Sequence, residues 1–283
     1  MQQLKFMWKL FRKSSHNPGA EMSFLDHIEA LRWHLVRSVL AIVIFAIVLF
    51  CFREFVFDDI IFASKHTDFW TYRMLCKLSV ALNLEDGLCV TTIPFELINT
   101  NLSGQFTMHI WVSLVGGFIL ALPYVLWELW RFIKPALKQT EKNYTSGVVF
   151  YSSLLFICGV LFGYYAIVPL SVNFLASYQI SADVKNMIEM DSFISTVTTL
   201  TLAAGLIFEL PIVIYFLSKI GLVTDTFLRK YRKHSVVVIL IVAAVITPSP
   251  DVTSQLMVAF PLYLLYEISI YVSAYVVRKK NIA

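Results

Sequence analysis

The stretch Leu202–Leu217, LAAGLIFELPIVIYFL, is apolar enough to cross a lipid bilayer as a helix, yet it carries Glu209 and, two residues later, Pro211. An acidic group at the centre of such a helix costs roughly 2.5–3.5 kcal/mol on insertion scales. Proline withholds a backbone N–H that the helix needs. A chain tolerates this pair only where other helices or a wet cavity, rather than lipid tails, receive it. The stretch therefore implies a bundle around it.

The flanking sequence supplies one. A hydrocarbon core about 30 Å thick takes about 20 apolar residues to cross. Gln105–Trp127 and Thr145–Ala182 contain no Asp, Glu, Lys or Arg; Phe193–Leu217 contains only Glu209, and Val252–Val277 only Glu267. A shorter run, Ser38–Phe52, extends backwards through Leu35 and Leu31. With 58% hydrophobic and 15% charged residues in 283, a water-soluble domain is excluded. The fold class is an all-α integral membrane protein.

The hydrophilic breaks sort by charge. Of the 23 lysines and arginines, 18 fall in 1–37, 128–145, 219–234 and 278–283, and 5 in 53–104, 172–191 and 248–254. The positive-inside rule puts the first set, with both termini, in the cytoplasm, which requires six crossings. The fifth, Ser235–Thr247, has only 13 residues, about 20 Å as a helix. It joins the sixth through the tight TPSPD turn, Thr247–Asp251. We expect a curved, open bundle of six transmembrane helices with short fifth and sixth helices, kinked at Pro123 and Pro211, with Pro169 and Pro261 at other spans. Residues 1–23 form a basic cytoplasmic extension without a cleavable signal pattern, 24–278 the membrane domain, and 279–283 a short tail. Cys51 and Cys158 lie in apolar runs; Cys76 and Cys89 share one hydrophilic loop and could pair in an oxidising compartment. No spacing suggests a metal site, and nothing points to a cofactor or to nucleic acid.

Three places concentrate polar chemistry. Glu209 and Glu267 lie at similar depth in helices of the same direction, with no lysine or arginine expected at that level, so they read either as interhelical glue or as a site that meets another molecule's polar group. Asp26, Glu29 and Arg32, spaced at three, share one general helix face before the first crossing. Glu141 follows Pro135 by six residues in the loop after the second.

Taken in order, the segments DHIEALRWHLVRS, RFIKPALKQTEK, AGLIFELPIVI and TPSPDVTSQLMVAFPLYLLYEISI resemble the TatC family, the large subunit of the twin-arginine protein translocase, from about Phe24 to Arg278. That resemblance implies a glove-shaped receptor in a bacterial cytoplasmic membrane that binds twin-arginine signal peptides of folded cargo. It also implies TatA- and TatB-type single-span partners, self-association in the complex and proton-motive-force-driven export. It places the arginine-binding patch on Glu141, whose Pro135 and Leu137 match the family pattern, with Glu29, Asp26 and Arg32 on the first helix. Here the sequence departs from the family: Ala30 stands where an H-L-E-E-L-R pattern has its second acid. Glu209, Thr247, Gln255 and Glu267 are the expected polar contacts for partner helices. The alternative, a proton- or ion-coupled secondary transporter using Glu209 and Glu267, lacks an internal repeat. An intramembrane enzyme lacks H-E-x-x-H and G-x-S-x-G, so no catalytic residue is assigned.

Overall fold

The computed structural model describes residues 24–81, 89, 95–133, 145–179, 181, 186–247 and 252–282. The extension 1–23, the side chain of Asp26, Pro248–Asp251 and Glu141 lie outside these described residues.

Helix α1 (Phe24–Cys51) leads through a π-helical stretch, Phe55–Ile61, to α2 (Trp70–Ala81). Strand β1 (Glu96–Ile98) precedes α3 (Gly104–Ile133), whose backbone runs through Pro123 as one helix. Helices α4 (Thr145–Phe162) and α5 (Val168–Ser177) are joined by a π-helical stretch, Gly163–Ile167, into one long rod. After strand β2 (Met187–Glu189) come α6 (Met190–Phe208) and α7 (Leu210–Ile220), separated at Glu209. The short α8 (Asp225–Lys230), α9 (Arg232–Ile246) and α10 (Val252–Ile282) close the chain.

Among the described residues, five segments are long and apolar enough to cross a membrane: Ile28–Cys51, Gly104–Ile133, Gly147–Ser177, Met190–Ile220 and Gln255–Arg278. Helix α9, with 15 residues, spans about 22 Å and falls short of that length. The sixth helix corrects the expectation of a short pair: α10 has 31 residues and continues through Pro261. Its apolar surface extends past the proline, and packing on α7 and α9 outweighs the one missing N–H.

The break at Glu209 has a local cause. Pro211 cannot donate to the carbonyl of Ile207, and the Glu209 N–H turns to Leu206 O at 3.2 Å, an i→i−3 bond. The ladder resumes as Ile212 and Val213 donate to Glu209 O at 2.9 and 3.0 Å. At its other end α7 stops at Gly221, whose φ of 87° suits a residue without Cβ.

The centre of the bundle is α6, packed against α3, α4, α5 and α10. Phe193, Ile194, Val197 and Ala204 on it are buried with Val168, Val172, Leu262 and Ile270. Its crossing with α4 is built on small residues. A Cβ on Gly159 would lie 2.8 Å from Ala204 O, and one on Gly205 would lie 2.7 Å from the Phe156 ring. Helix α1, by contrast, packs chiefly on α3 along one stripe and presents Leu35, Val39, Leu40 and Ile47 outward, as a lipid-facing helix can.

The elements sort to two ends. One carries the start of α1, the end of α3 with Arg131, the start of α4, the end of α7 with Lys219, α8 and the end of α10; the Trp130 and Phe216 rings meet there at 5.0 Å. At the other, β1 and β2 pair in parallel, Glu96 opposite Met187, joining two loops. There Cys76 and Cys89 are disulfide-bonded. Tyr72, buried, lies with its hydroxyl 3.0 Å from Pro169 O and 3.2 Å from Ser64 O. Burial pushes this phenol above its usual range, which keeps the proton that it donates.

Candidate functional site

The polar chemistry begins on α1. Ala30, His34, Ser38, Ala41, Ala46 and Leu49 form its partly buried stripe. This stripe meets α3: His34 reaches Glu128, while a Cβ on Gly117 would come within 2.6 Å of the Ala46 backbone and one on Gly116 within 2.6 Å of Leu49. Glu29 and Arg32 are exposed. One helical residue rotates a side chain by about 100°, so Glu29 lies off the stripe that Ala30 occupies. Glu29 and Arg32 therefore stand at the surface of this end. The structure does not bring them together with Glu141, which is outside the described residues.

The residue that the sequence reading missed is Glu128. Its side chain is 1% exposed, although it is ionisable and sits near the end of an apolar helix. His34 Nδ1 bonds its Oε2 closely, and the Tyr124 hydroxyl donates to Oε1 at 3.1 Å. Arg131 approaches Oε1 at 3.6 Å and Arg37 approaches Oε2 at 3.9 Å. Arg131 also lies 4.7 Å from the centre of the Trp127 ring. Donors from two helices thus compensate a carboxylate that would otherwise be costly to bury. The charge-free run ends at Trp127, which made Glu128 look like the first residue of a loop. The apolar pattern through Leu129, Trp130, Phe132 and Ile133 is the signal that the helix, and its buried face, continues.

Glu209 occupies the break between α6 and α7. Ser152 of α4 donates to its Oε2 at 2.5 Å. Oε1 is buried and, among the described residues, has no hydrogen-bond partner. Serine is small enough to let α4 approach here, and it supplies a donor without adding charge.

Glu267 corrects the expectation that no cation reaches the membrane acids. Arg232 Nη2 donates to its Oε2 at 2.8 Å and the Tyr263 hydroxyl donates to Oε1 at 2.8 Å. Because α9 has only 15 residues, its first residue starts level with Glu267, eleven residues short of Arg278 on α10. Nearby, the Tyr266 hydroxyl donates to Leu228 O at 2.7 Å, which ties α8 to the same level.

Thr247 is buried and donates to Ala243 O at 2.9 Å in its own helix. Gln255 Nε2 donates to Leu240 O at 3.0 Å across the hairpin. Gln255 thus ties α10 to α9, while Thr247 closes the end of α9. Pro211 stands at the observed break, and Pro123 lies within a continuous helix. Among the described residues no group of three His, Cys, Asp or Glu side chains is arranged to hold a metal.

Chemically, these are acceptors for guanidinium and hydrogen-bond donors. Comparison with known proteins agrees with that character. Residues 26–261 match the family described as "Sec-independent protein translocase protein (TatC)". The Sec-independent protein translocase protein TatC of Blattabacterium sp. subsp. Periplaneta americana is 41% identical over 265 residues, covering 93% of this chain and 99% of the relative. That of Carboxydothermus hydrogenoformans is 32% identical over 260 residues, covering 92% of this chain and 96% of the relative. A crystal structure of "Twin Arginine Translocase Receptor- TatC in DDM" superposes with a TM-score of 0.65 at 33% identity, covering 87% of this chain and 99% of that one.

Proposed function

The chain belongs to the TatC family, and from that premise we propose that it is the signal-peptide receptor and core of the twin-arginine translocase. Membership makes it a multi-pass membrane subunit of a Sec-independent protein translocase, and not an enzyme. The proposal adds a mechanism. Acids at the basic end, the exposed Glu29 with Asp26 and Glu141, receive the paired guanidiniums of a cargo signal peptide. Carboxylates suit guanidinium because the bidentate fork fixes geometry as well as charge. Exposed pairs of this kind are worth only about 0–1 kcal/mol each, so apolar residues of the signal peptide lying along the bundle must add the remaining affinity. Deeper in the bundle, Glu209 offers a carboxylate oxygen to a polar side chain of a single-span TatA- or TatB-type helix. Six crossings, with α9 as an undersized fifth, place both termini in the cytoplasm of a bacterial inner membrane, and the complex runs on the proton-motive force.

The observation that carries the reading is the agreement of sequence and fold, over most of both chains, with a crystal structure described as a twin-arginine translocase receptor. The transporter alternative loses one of its two acids, because Glu267 is engaged by Arg232 and Tyr263. The test is photo-crosslinking of a peptide with two consecutive arginines, against a twin-lysine control, to residues 24–32 and 135–141. Glu141→Ala should weaken binding, while Glu209→Ala should spare it and impair translocation. Equal binding of the twin-lysine peptide, or equal loss of peptide binding in both variants, overturns the proposal.

A further inference from the structure

We propose that His34 and Glu128 are positioning residues, a polar latch that sets the angle of α1 against α3 and thereby where α1 presents Glu29 to a twin-arginine peptide. The inference rests on the receptor reading above. Its geometry comes from the way α1 is held. The helix is seated on α3 along a single stripe, with its other faces turned outward. Toward the C-terminal end of α1, Gly117 lets the Ala46 backbone approach so closely that it has no room for a methyl group, and Gly116 receives the tip of Leu49 beside it. Such a crossing is a tight pivot. A pivot alone leaves the angle of the helix to weak side-chain contacts.

His34 lies twelve residues from Ala46, about 18 Å along the axis. There the bond to Glu128 supplies a second, directional point of attachment. Two points fix a rod where one does not. Glu29 precedes His34 by five residues on the same helix, and Glu141 follows Glu128 by thirteen in sequence. Glu29 is therefore carried by the same helix as the His34 half of the latch.

Adhesion alone does not account for a buried carboxylate here. Well-packed apolar side chains of similar volume would hold two helices at least as firmly, because desolvating the charge offsets most of its attraction. What the pair supplies is direction. Tyr124, Arg131 and Arg37 surround Glu128 on its remaining sides, and Phe132 meets the His34 ring edge-on at 6.1 Å. The ring and the carboxylate are thereby confined to one arrangement.

The test uses the full chain in lipid nanodiscs with Cys51→Ser and Cys158→Ser, spin labels at Leu31→Cys and Leu129→Cys, and twin-arginine and twin-lysine peptides. His34→Leu keeps bulk and removes the donor; His34→Asn keeps an amide N–H near the place of Nδ1. We expect a single narrow label distance in the parent chain and a broadened one in His34→Leu. A hydrogen bond to a charged group is worth enough that twin-arginine affinity should fall by about tenfold or more in His34→Leu. His34→Asn should recover both readouts, which a general loss of packing would not allow. Unchanged affinity in His34→Leu, or weakened affinity with an unchanged label distance, overturns the latch. A parent chain that does not prefer the twin-arginine peptide overturns the receptor reading itself, and the two failures are distinguishable.

Discussion

The three membrane carboxylates differ in what surrounds them, and that difference predicts what each substitution does. Glu128 is 1% exposed and compensated from two helices, so Glu128→Ala leaves a cavity and a part-buried His34 without its partner, while Arg37 and Arg131, about half exposed, turn to solvent. Breaking a buried pair of this kind costs about 3–5 kcal/mol. Glu267 and Arg232 are 20% and 43% exposed, and solvent screening limits that pair to about 1 kcal/mol or less. Thermal unfolding in detergent should show a large drop in midpoint for Glu128→Ala and a small one for Glu267→Ala; the reverse order would contradict the burial seen here. Glu209 is the exception, with one oxygen held by Ser152 and one unmatched among the described residues. A second residue-scale expectation concerns the missing family acid. Ala30 sits one turn before His34 on the stripe facing α3, while Glu29 is exposed off that stripe. Ala30→Glu should therefore add a carboxylate beside the latch and tighten twin-arginine peptide binding, measured as peptide Kd in nanodiscs. No change would mean that this chain recognises arginine without an acid at position 30.

At the scale of elements, close helix approach governs where polar groups can meet. Gly159, Gly163 and Gly205 bring α4 against α6 with no room for another carbon, an arrangement typical of membrane bundles. The same approach carries Ser152 to Glu209. Gly205→Val should cost about 1–3 kcal/mol through overpacking and, by prising the helices apart, should impair translocation as Glu209→Ala does while sparing peptide binding. Unimpaired translocation in Gly205→Val would separate the crossing from the polar contact. Much of this architecture was legible in the sequence, because long charge-free runs and a proline beside a carboxylate have few physical solutions in lipid. The spans and the break at Glu209 came directly from that logic. What was not legible depends on register between helices. The cation for Glu267 could not be located until the short α9 was seen to begin level with it. Glu128 was taken for a loop residue because a charge ends an apolar run whether or not the helix ends there. Gly159 and Gly163 stand four residues apart, and only the structure shows that they receive α6.

For the whole molecule, the division into two ends decides whether the proposed mechanism can operate. Lysine and arginine concentrate at the end that holds the start of α1, the end of α3 and the end of α7, so the positive-inside rule assigns that end to the cytoplasm. The opposite end carries the β1–β2 pairing and the Cys76–Cys89 disulfide, and such bonds persist in oxidising compartments. Charge and redox chemistry are independent arguments for the orientation proposed above. In a background with Cys51→Ser and Cys158→Ser, a membrane-impermeant maleimide applied to intact cells should therefore label Thr100→Cys. It should leave Lys233→Cys unlabelled until the membrane is opened. Both positions are exposed, so failure to react would report sidedness and not burial. A third position, Arg278→Cys at the exposed end of α10, tests α9: if that short helix did not cross, α10 would run in the opposite sense and this position would label from outside. The inverse pattern at positions 100 and 233 would put the acids of the arginine patch beyond the reach of a cytoplasmic signal peptide, and no receptor function of the kind proposed could survive it.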